Sequence, residues 1–336
     1  MTGDTYLAAG VDREAAKRTK DSIVSLASGT LGPQVIGGIG FFGGMYQLAG
    51  YNQPVLVSST DSVGTKVKIA SIMEKFDTVG MDLVNHCIND VFTCGARPLF
   101  FLDYIGVSRL VPAKAEALVK GMAEACKIAG CSLIGGETAE LPGVYPDNEF
   151  DIVGFVVGAV EKENVIHGRD IEQGDALLGI SSNGLHTNGY SLARRVFQVE
   201  EHPEVVNKKS EELGKTIGEA LLEPHRSYYP LLEPALPLVK GMAHITGGGL
   251  YENVPRVLPD GLGALFHTSS WDVPPIFSLI QRAGNVSREE MFRVFNMGLG
   301  MVLVCDPQNV DDICRLVPEA RVVGSVVGDG AVTLAR

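Results

Sequence analysis

The chain alternates between stretches whose apolar residues recur at helical spacing and short apolar runs bounded by glycine, proline or aspartate. Residues 12–28 read as a helix, with Asp12 as cap and Gly29 as stop. Residues 37–44, Gly-Gly-Ile-Gly-Phe-Phe-Gly-Gly, read as a loop. Pro54 to Thr60 is a β-rich run ending in Asp61. Asp77 is placed to cap a helix that runs to Cys94 and stops at Gly95. Residues 99–107 are apolar, aromatic and strand-like, and Pro112 opens a helix that ends before Gly130. Residues 131–134 predict a short strand entering Gly135 and Gly136, and residues 150–160 a continuous apolar strand. Residues 167–174 are polar and turn-rich, which divides the chain into domains 1–168 and 169–336. Beyond them the pattern predicts strands at 176–181, 262–268, 299–305 and 321–327, with helices near 188–199, near 211–223 and after Gly249. That order, without strict alternation, predicts an α/β (mixed α+β) fold in two domains.

The length of 336 residues agrees with two domains at about 150 residues each. A net charge of −12 argues against nucleic acid, which needs clustered Lys and Arg, but leaves room for a small anion held by backbone N–H groups. No apolar run is long enough to span a membrane, and the first residues lack the basic and apolar regions of a signal peptide. Six cysteines without a C-x-x-C pair read as reduced core residues of a cytoplasmic protein, not as a zinc site. The 40 glycines are clustered, as expected where backbone approaches a ligand.

Five segments carry candidate chemistry. The 37–44 loop reads equally as an anion cradle or a mobile turn; it is neither a Walker A loop nor a dinucleotide fingerprint. In Ser59-Thr60-Asp61-Ser62-Val63-Gly64-Thr65-Lys66, Asp61 is a candidate Mg²⁺ ligand, with Thr65 and Lys66 in reach of phosphate oxygens. On the helix that follows, Asp82, His86, Asn89, Asp90 and Thr93 share one stripe. Its short side chains suggest a site lining, because solvated faces favour Lys, Arg and Glu. Gly135-Gly136-Glu137-Thr138-Ala139-Glu140 reads as a strand end able to hold a metal and a polar substrate, or as a tight turn with exposed acids. Ser181 to Gly189 and Thr246-Gly247-Gly248-Gly249 both lead from a strand into a helix N-terminus, where phosphate is favoured. No G-x-S-x-G elbow supports acyl transfer.

These motifs, in this order, with His186-Thr187-Asn188-Gly189-Tyr190-Ser191-Leu192 and His244-Ile245-Thr246-Gly247-Gly248-Gly249, closely resemble the phosphoribosylformylglycinamidine cyclo-ligase (aminoimidazole ribonucleotide synthetase) family over essentially the whole chain. Ser62 departs from a frequent glycine, and residues 28–34 lack the basic side chains often found there. The resemblance implies ring closure of formylglycinamidine ribonucleotide with ATP and Mg²⁺. It also implies a homodimer whose N-terminal strands form a shared barrel. It further implies metal ligation by Asp61, Asp90 and Glu137. ATP would be bound by those three carboxylates together with Gly37, Gly38, Gly40, Gly43, Gly44, Gly64, Thr65, Lys66, Gly135, Gly136 and Thr138. Catalysis falls to His186, Asn188 and Lys66, with His186 and Asn188 holding or proton-shuttling at the substrate, and the ribose phosphate to Thr246, Gly247, Gly248 and Gly249. A related phosphotransferase, of thiamine-phosphate kinase or selenophosphate synthase type, is the alternative. The first cysteine is Cys87, far from the N-terminal position where a selenophosphate synthase carries its reactive group. A non-catalytic nucleotide-binding scaffold would have lost carboxylates that are all present here.

Overall fold

The computed structural model describes residues 13–335, so the expected Asp12 cap lies outside the described residues. The first half opens with α1 (Arg13–Ser28) and two short paired strands, β1 (Val35–Ile36) and β2 (Met45–Tyr46), which flank the glycine loop. Then come β3 (Pro54–Ser62), α2 (Lys66–Ile72), α3 (Asp77–Phe92), β4 (Arg97–Val107), α4 (Pro112–Ile128), β5 (Ser132–Glu140) and β6 (Phe150–Glu161). The strands form a four-stranded sheet in the order β3-β6-β4-β5; β4 and β5 run parallel and the other neighbours antiparallel. Along β6, Ile152, Gly154 and Val156 are buried on the face that α3 covers, while Val153, Phe155 and Val157 point the other way.

Asp77 is the first residue of α3 rather than its cap, which is Phe76. A larger difference concerns residues 135–140, where the sequence suggests a strand end. β5 continues through them, with Leu102 opposite Gly135, Asp103 opposite Gly136 and Tyr104 opposite Glu137. Pairing with β4 overrides the weak strand preference of glycine. Glycine is required at position 136, because a Cβ there would collide with Asp103.

The second half contains β7 (Ala176–Ser181), α5 (Tyr190–Phe197), β8 (Lys209–Ser210), β9 (Lys215–Thr216), α6 (Ile217–Leu221), α7 (Tyr229–Leu232), β10 (Gly241–His244), α8 (Gly249–Asn253), β11 (Gly263–His267), α9 (Pro275–Gly284), α10 (Arg288–Val294), β12 (Leu299–Cys305), α11 (Val310–Leu316), β13 (Arg321–Val327) and β14 (Val332–Ala335). Its six-stranded sheet has the order β10-β12-β7-β13-β11-β14. The helix expected near 211–223 shrinks to α6. The β8–β9 hairpin takes the residues before it, and Thr216 caps α6 in a reciprocal pair with Glu219.

The two halves meet across polar groups. Asp82, Asn85, His86 and Asn89 occupy one face of α3 at helical spacing. Three of them bind the backbone of residues 223–228, which has no regular structure. Asp82 Oδ1 accepts from the His225 N–H, Asn85 Nδ2 donates to the His225 carbonyl, and Asn89 bonds both the Arg226 carbonyl and the Tyr228 N–H. Beside them Lys66 is wholly buried, its amine 2.7 Å from Asp82 Oδ2. The same amine donates to the carbonyls of His186 at 3.0 Å and Glu223 at 2.8 Å. Burial pushes the Asp82 carboxyl up to about 6 and the Lys66 amine down, and each charge opposes the other's shift.

Removing one partner of such a pair strands a charge in the interior. Lys66→Met should therefore cost about 3–5 kcal/mol in urea unfolding. Lys66→Met/Asp82→Leu should recover part of that, because neither charge remains. Wild-type stability in Lys66→Met would contradict the buried pair.

Candidate active site

Asp61 lies near the end of β3 and faces α3. Its Oδ2 is 3.1 Å from His86 Nε2, and its Oδ1 accepts from the Ser62 N–H at 2.7 Å. Ser62, the departure noted above, also accepts from the Gly64 N–H through its hydroxyl. One turn beyond His86, Asp90 Oδ1 accepts from His244 Nδ1 at 2.8 Å and Oδ2 from the Ser59 hydroxyl at 3.2 Å. The two carboxylate side chains are 39% and 33% exposed, so both retain lone pairs toward solvent.

Behind them the imidazoles are joined inside the protein. His86 Nδ1 meets Thr187 Oγ1 at 3.0 Å, Thr187 Oγ1 meets His225 Nδ1 at 3.3 Å, and His225 Nε2 meets His244 Nε2 at 3.0 Å. A continuous chain thus runs Asp61–His86–Thr187–His225–His244–Asp90. It has five contacts. With both acids ionised and the rings neutral, three imidazoles and one hydroxyl supply four hydrogens. One additional proton would satisfy every contact. Desolvation pushes the His86, His186 and His225 rings down from their ordinary range, and the neighbouring imidazoles act in the same direction. Burial works to raise Asp90, but the His244 hydrogen bond and nearby imidazoles outweigh it and hold the carboxyl below its usual range.

The structure places the expected residues in separate groups. Thr65, Asn188, Gly247 and Gly248 line an open cleft of about 680 Å³ with Gly64 and Ser191. Asp90 and His244 line a cavity of about 380 Å³ with Ser59, Asn253 and Arg256. Gly40, Gly43, Gly44, Gly135, Gly136, Glu137 and Thr138 line a third space of about 660 Å³ with Asp103. Gly37 and Gly38 begin the glycine loop in the left-handed region, at φ 78° and 70°. In that loop Phe41 and Phe42 are exposed. Thr246 bonds Asn253, and the Gly249 N–H is taken by the Thr246 carbonyl. That leaves Gly247 and Gly248 as the part of the motif that faces the cleft.

Three expectations change. Glu137 does not meet Asp61 and Asp90 within one chain. It lies on β5, the edge strand opposite β3, paired with Tyr104 of β4, three strand spacings or roughly 14 Å across the sheet from β3. Lys66, expected at phosphate, has its amine committed to Asp82 and two carbonyls. His186, placed by its junction position to face substrate, is only 1% exposed. Its ring stacks on His225 with centroids 4.1 Å apart, and its backbone has φ 63°. A Cβ at residue 300 would crowd both His186 and the Tyr228 hydroxyl, so glycine is needed there. His186, His225 and His244 bring ring nitrogens within 4.8 Å of one another. The near-parallel planes of His186 and His225 nevertheless keep their lone pairs from converging on one cation.

The sequence reading missed His225, the bonding role of Thr187 and Asp103. Asp103, an acid inside an aromatic strand, was visible as an anomaly. Burial, reinforced by Glu137, pushes its carboxyl up to about 7, while its own backbone bond opposes the shift. His225 and Thr187 carry no comparable signal, because their partners are distant in sequence.

Two family models match the chain: AIR synthase related protein, N-terminal domain, over residues 45–160, and AIR synthase related protein, C-terminal domain, over residues 172–335. The phosphoribosylformylglycinamidine cyclo-ligase of Caldicellulosiruptor bescii is 49% identical over 330 residues, covering 96% of each chain. That of Thermoanaerobacter sp. is 48% identical over 335 residues, covering 98% of this chain and 99% of its own. Among solved structures, thiamine-monophosphate kinase from Stenotrophomonas maltophilia is similar with a TM-score of 0.67 at 14% identity, covering 94% of this chain and 95% of its own. Hydrogenase maturation protein HypE in complex with ATP has a TM-score of 0.68 at 16% identity, covering 96% and 91%. Those two likenesses concern the fold alone. By identity along nearly its whole length, the chain belongs to the phosphoribosylformylglycinamidine cyclo-ligase family.

Proposed function

We propose that this chain closes the imidazole ring of aminoimidazole ribonucleotide from formylglycinamidine ribonucleotide, consuming ATP and releasing ADP and phosphate. The observation that carries this reading is 48–49% identity to cyclo-ligases over almost all of both chains. The alternative phosphotransferase has only a shared fold in its favour, at 14% identity for the thiamine-monophosphate kinase. A fold hosts many activities.

The reaction must turn an amide oxygen into a leaving group. Phosphoryl transfer to the formyl oxygen does this; the amidine nitrogen then attacks the carbon, loses a proton, and phosphate departs. Such transfers depend mainly on positioning and charge neutralisation. Asp61 and Asp90 fit Mg²⁺, because each carboxylate is partly exposed and has lone pairs beyond those its imidazole uses. Mg²⁺ bound there would neutralise phosphate charge. We assign Glu137, together with Asp103 and the glycine loop, to the separate space they line, and ATP contacts to that loop. Thr65, Asn188, Gly247 and Gly248 take the ribonucleotide and its phosphate from the open cleft. Lys66 and His186 hold the wall behind it. The histidine chain offers the departing proton a destination close to both acids.

We also infer a homodimer. One sheet face lies under α3, while the other exposes Leu56 at 61% and Phe155 at 39% beside Val153 and Val157. An uncovered apolar sheet face of this kind suits a second copy, and the shared barrel is our reading of how it is covered. We place the enzyme in the cytoplasm with its six cysteines reduced. No helix among the described residues is long and apolar enough to cross a membrane.

Purified protein should form aminoimidazole ribonucleotide only with both ATP and Mg²⁺, read as product together with ADP. Asp90→Asn should lower kcat by about 10²-fold or more, the scale of a lost charge contact at a transferring phosphoryl group, with little change in melting temperature. Folded protein that binds both substrates and makes no product would overturn the assignment. Sedimentation should show a species of twice 35.8 kDa at micromolar concentration. A species of one chain mass alone would contradict the dimer.

A further inference from the structure

The two carboxylates assigned to catalysis are each held by one imidazole, and the far nitrogens of those imidazoles are tied together by Thr187 and His225. His225 stands two contacts from Asp90 and three from Asp61, and is 1% exposed. Its backbone N–H is fixed by Asp82 and its carbonyl by Asn85, both on α3. Its ring is clamped against His186 at an interplanar angle of 19°. The ring therefore has a fixed position and two fixed edges. One edge meets Thr187, the other His244.

We propose that His225 is a positioning residue for the reaction. By engaging Thr187 and His244 at once, it locks the rings of His86 and His244 so that His86 Nε2 stays on Asp61 and His244 Nδ1 stays on Asp90. A neutral imidazole has one donor and one acceptor nitrogen, and the hydrogen bond at one fixes the role of the other. Among the described residues, the hydrogen-bond partner of His244 Nε2 is His225. Without that partner the His244 ring loses the contact that sets its tautomer, and Asp90 loses a fixed N–H. Partners of this kind behind ligand-bearing groups typically change activity 10–100-fold when removed. The assignment extends the ring-closing reading in its kinetic arm, and its spectroscopic arm does not depend on it.

Three replacements separate the two edges. His225→Leu fills similar space and offers neither donor nor acceptor. His225→Gln can reach the His244 edge, and His225→Asn the Thr187 edge. In the leucine variant kcat for ring closure should fall at least 10-fold, with KM for the ribonucleotide changing much less. The glutamine variant should recover most of that loss although its urea midpoint matches that of the leucine variant. Equal kcat in the leucine and glutamine variants, or a loss that simply follows the folded fraction, would overturn the proposal. Independently of turnover, ¹⁵N spectra of the seven histidines should show one ring protonated at Nδ1 and assigned to His244 in wild type. That signal should average or shift in His225→Leu and persist in His225→Gln. An unchanged His244 signal in the leucine variant would refute the positioning role. Absence of product from the wild-type protein would count against the ring-closing reading alone.

Discussion

A stretch of backbone with no regular structure, residues 223–228, runs between the two halves and has to find partners for its polar groups. A buried N–H or carbonyl left without one costs about as much as a lost hydrogen bond. The α3 face supplies the partners: Asp82 and Asn89 accept, and Asn85 and Asn89 donate. The Lys66 amine adds a charge that satisfies the Glu223 and His186 carbonyls from one point. One helix face thereby binds the halves together and also sets the place of His225. The same face carries His86, and its next turn carries Asp90, so the interface and the imidazole-bound carboxylate share a frame.

This arrangement explains why short polar side chains occupy that stripe. Long charged residues would keep their heads in water, whereas Asp and Asn reach backbone groups at close range. It also explains why the acids are paired with imidazoles and not with Lys or Arg. A Lys or Arg there would bring a fixed cation, while a neutral imidazole donates one hydrogen bond and leaves the carboxylate charge in place, which suits the metal role proposed for Asp61 and Asp90. The overall charge of −12 is compatible with the proposed reading, because glycine backbone and a metal can bind an anion inside an acidic protein.

Much of this was legible from residues alone. The stripe on α3 announced a site or an interface; Asp61 contacts His86, and Asp90 lies in a close group with His86 and His244. The main strands and helices fall near their expected places, since each has a clear hydrophobic period or a glycine or proline boundary. Where sequence reasoning failed, a tertiary partner decided the outcome. Residues 135–140 read as a strand end because glycines rarely favour strands, yet parallel pairing with β4 extends β5 to Glu140. That pairing carries Glu137 to the far edge of the sheet. Lys66 read as a phosphate ligand because Gly-Thr-Lys looks exposed; only the fold shows Asp82 waiting for it. His225 follows a proline in an aperiodic segment, and nothing local distinguishes it from a surface histidine. Kinases and maturation proteins with the same fold at 14–16% identity show that the scaffold by itself does not specify the chemistry.

The central claim is that α3 holds residues 223–228 as firmly as it holds its own helix. Native-state hydrogen exchange of the His225 and Tyr228 amides tests it directly, since these donate to Asp82 and Asn89. The account predicts that both amides exchange with the same opening free energy as the interior amides of α3, and that all of them lose protection together. Exchange of the two amides at the rate of an exposed loop, while α3 stays protected, would contradict it.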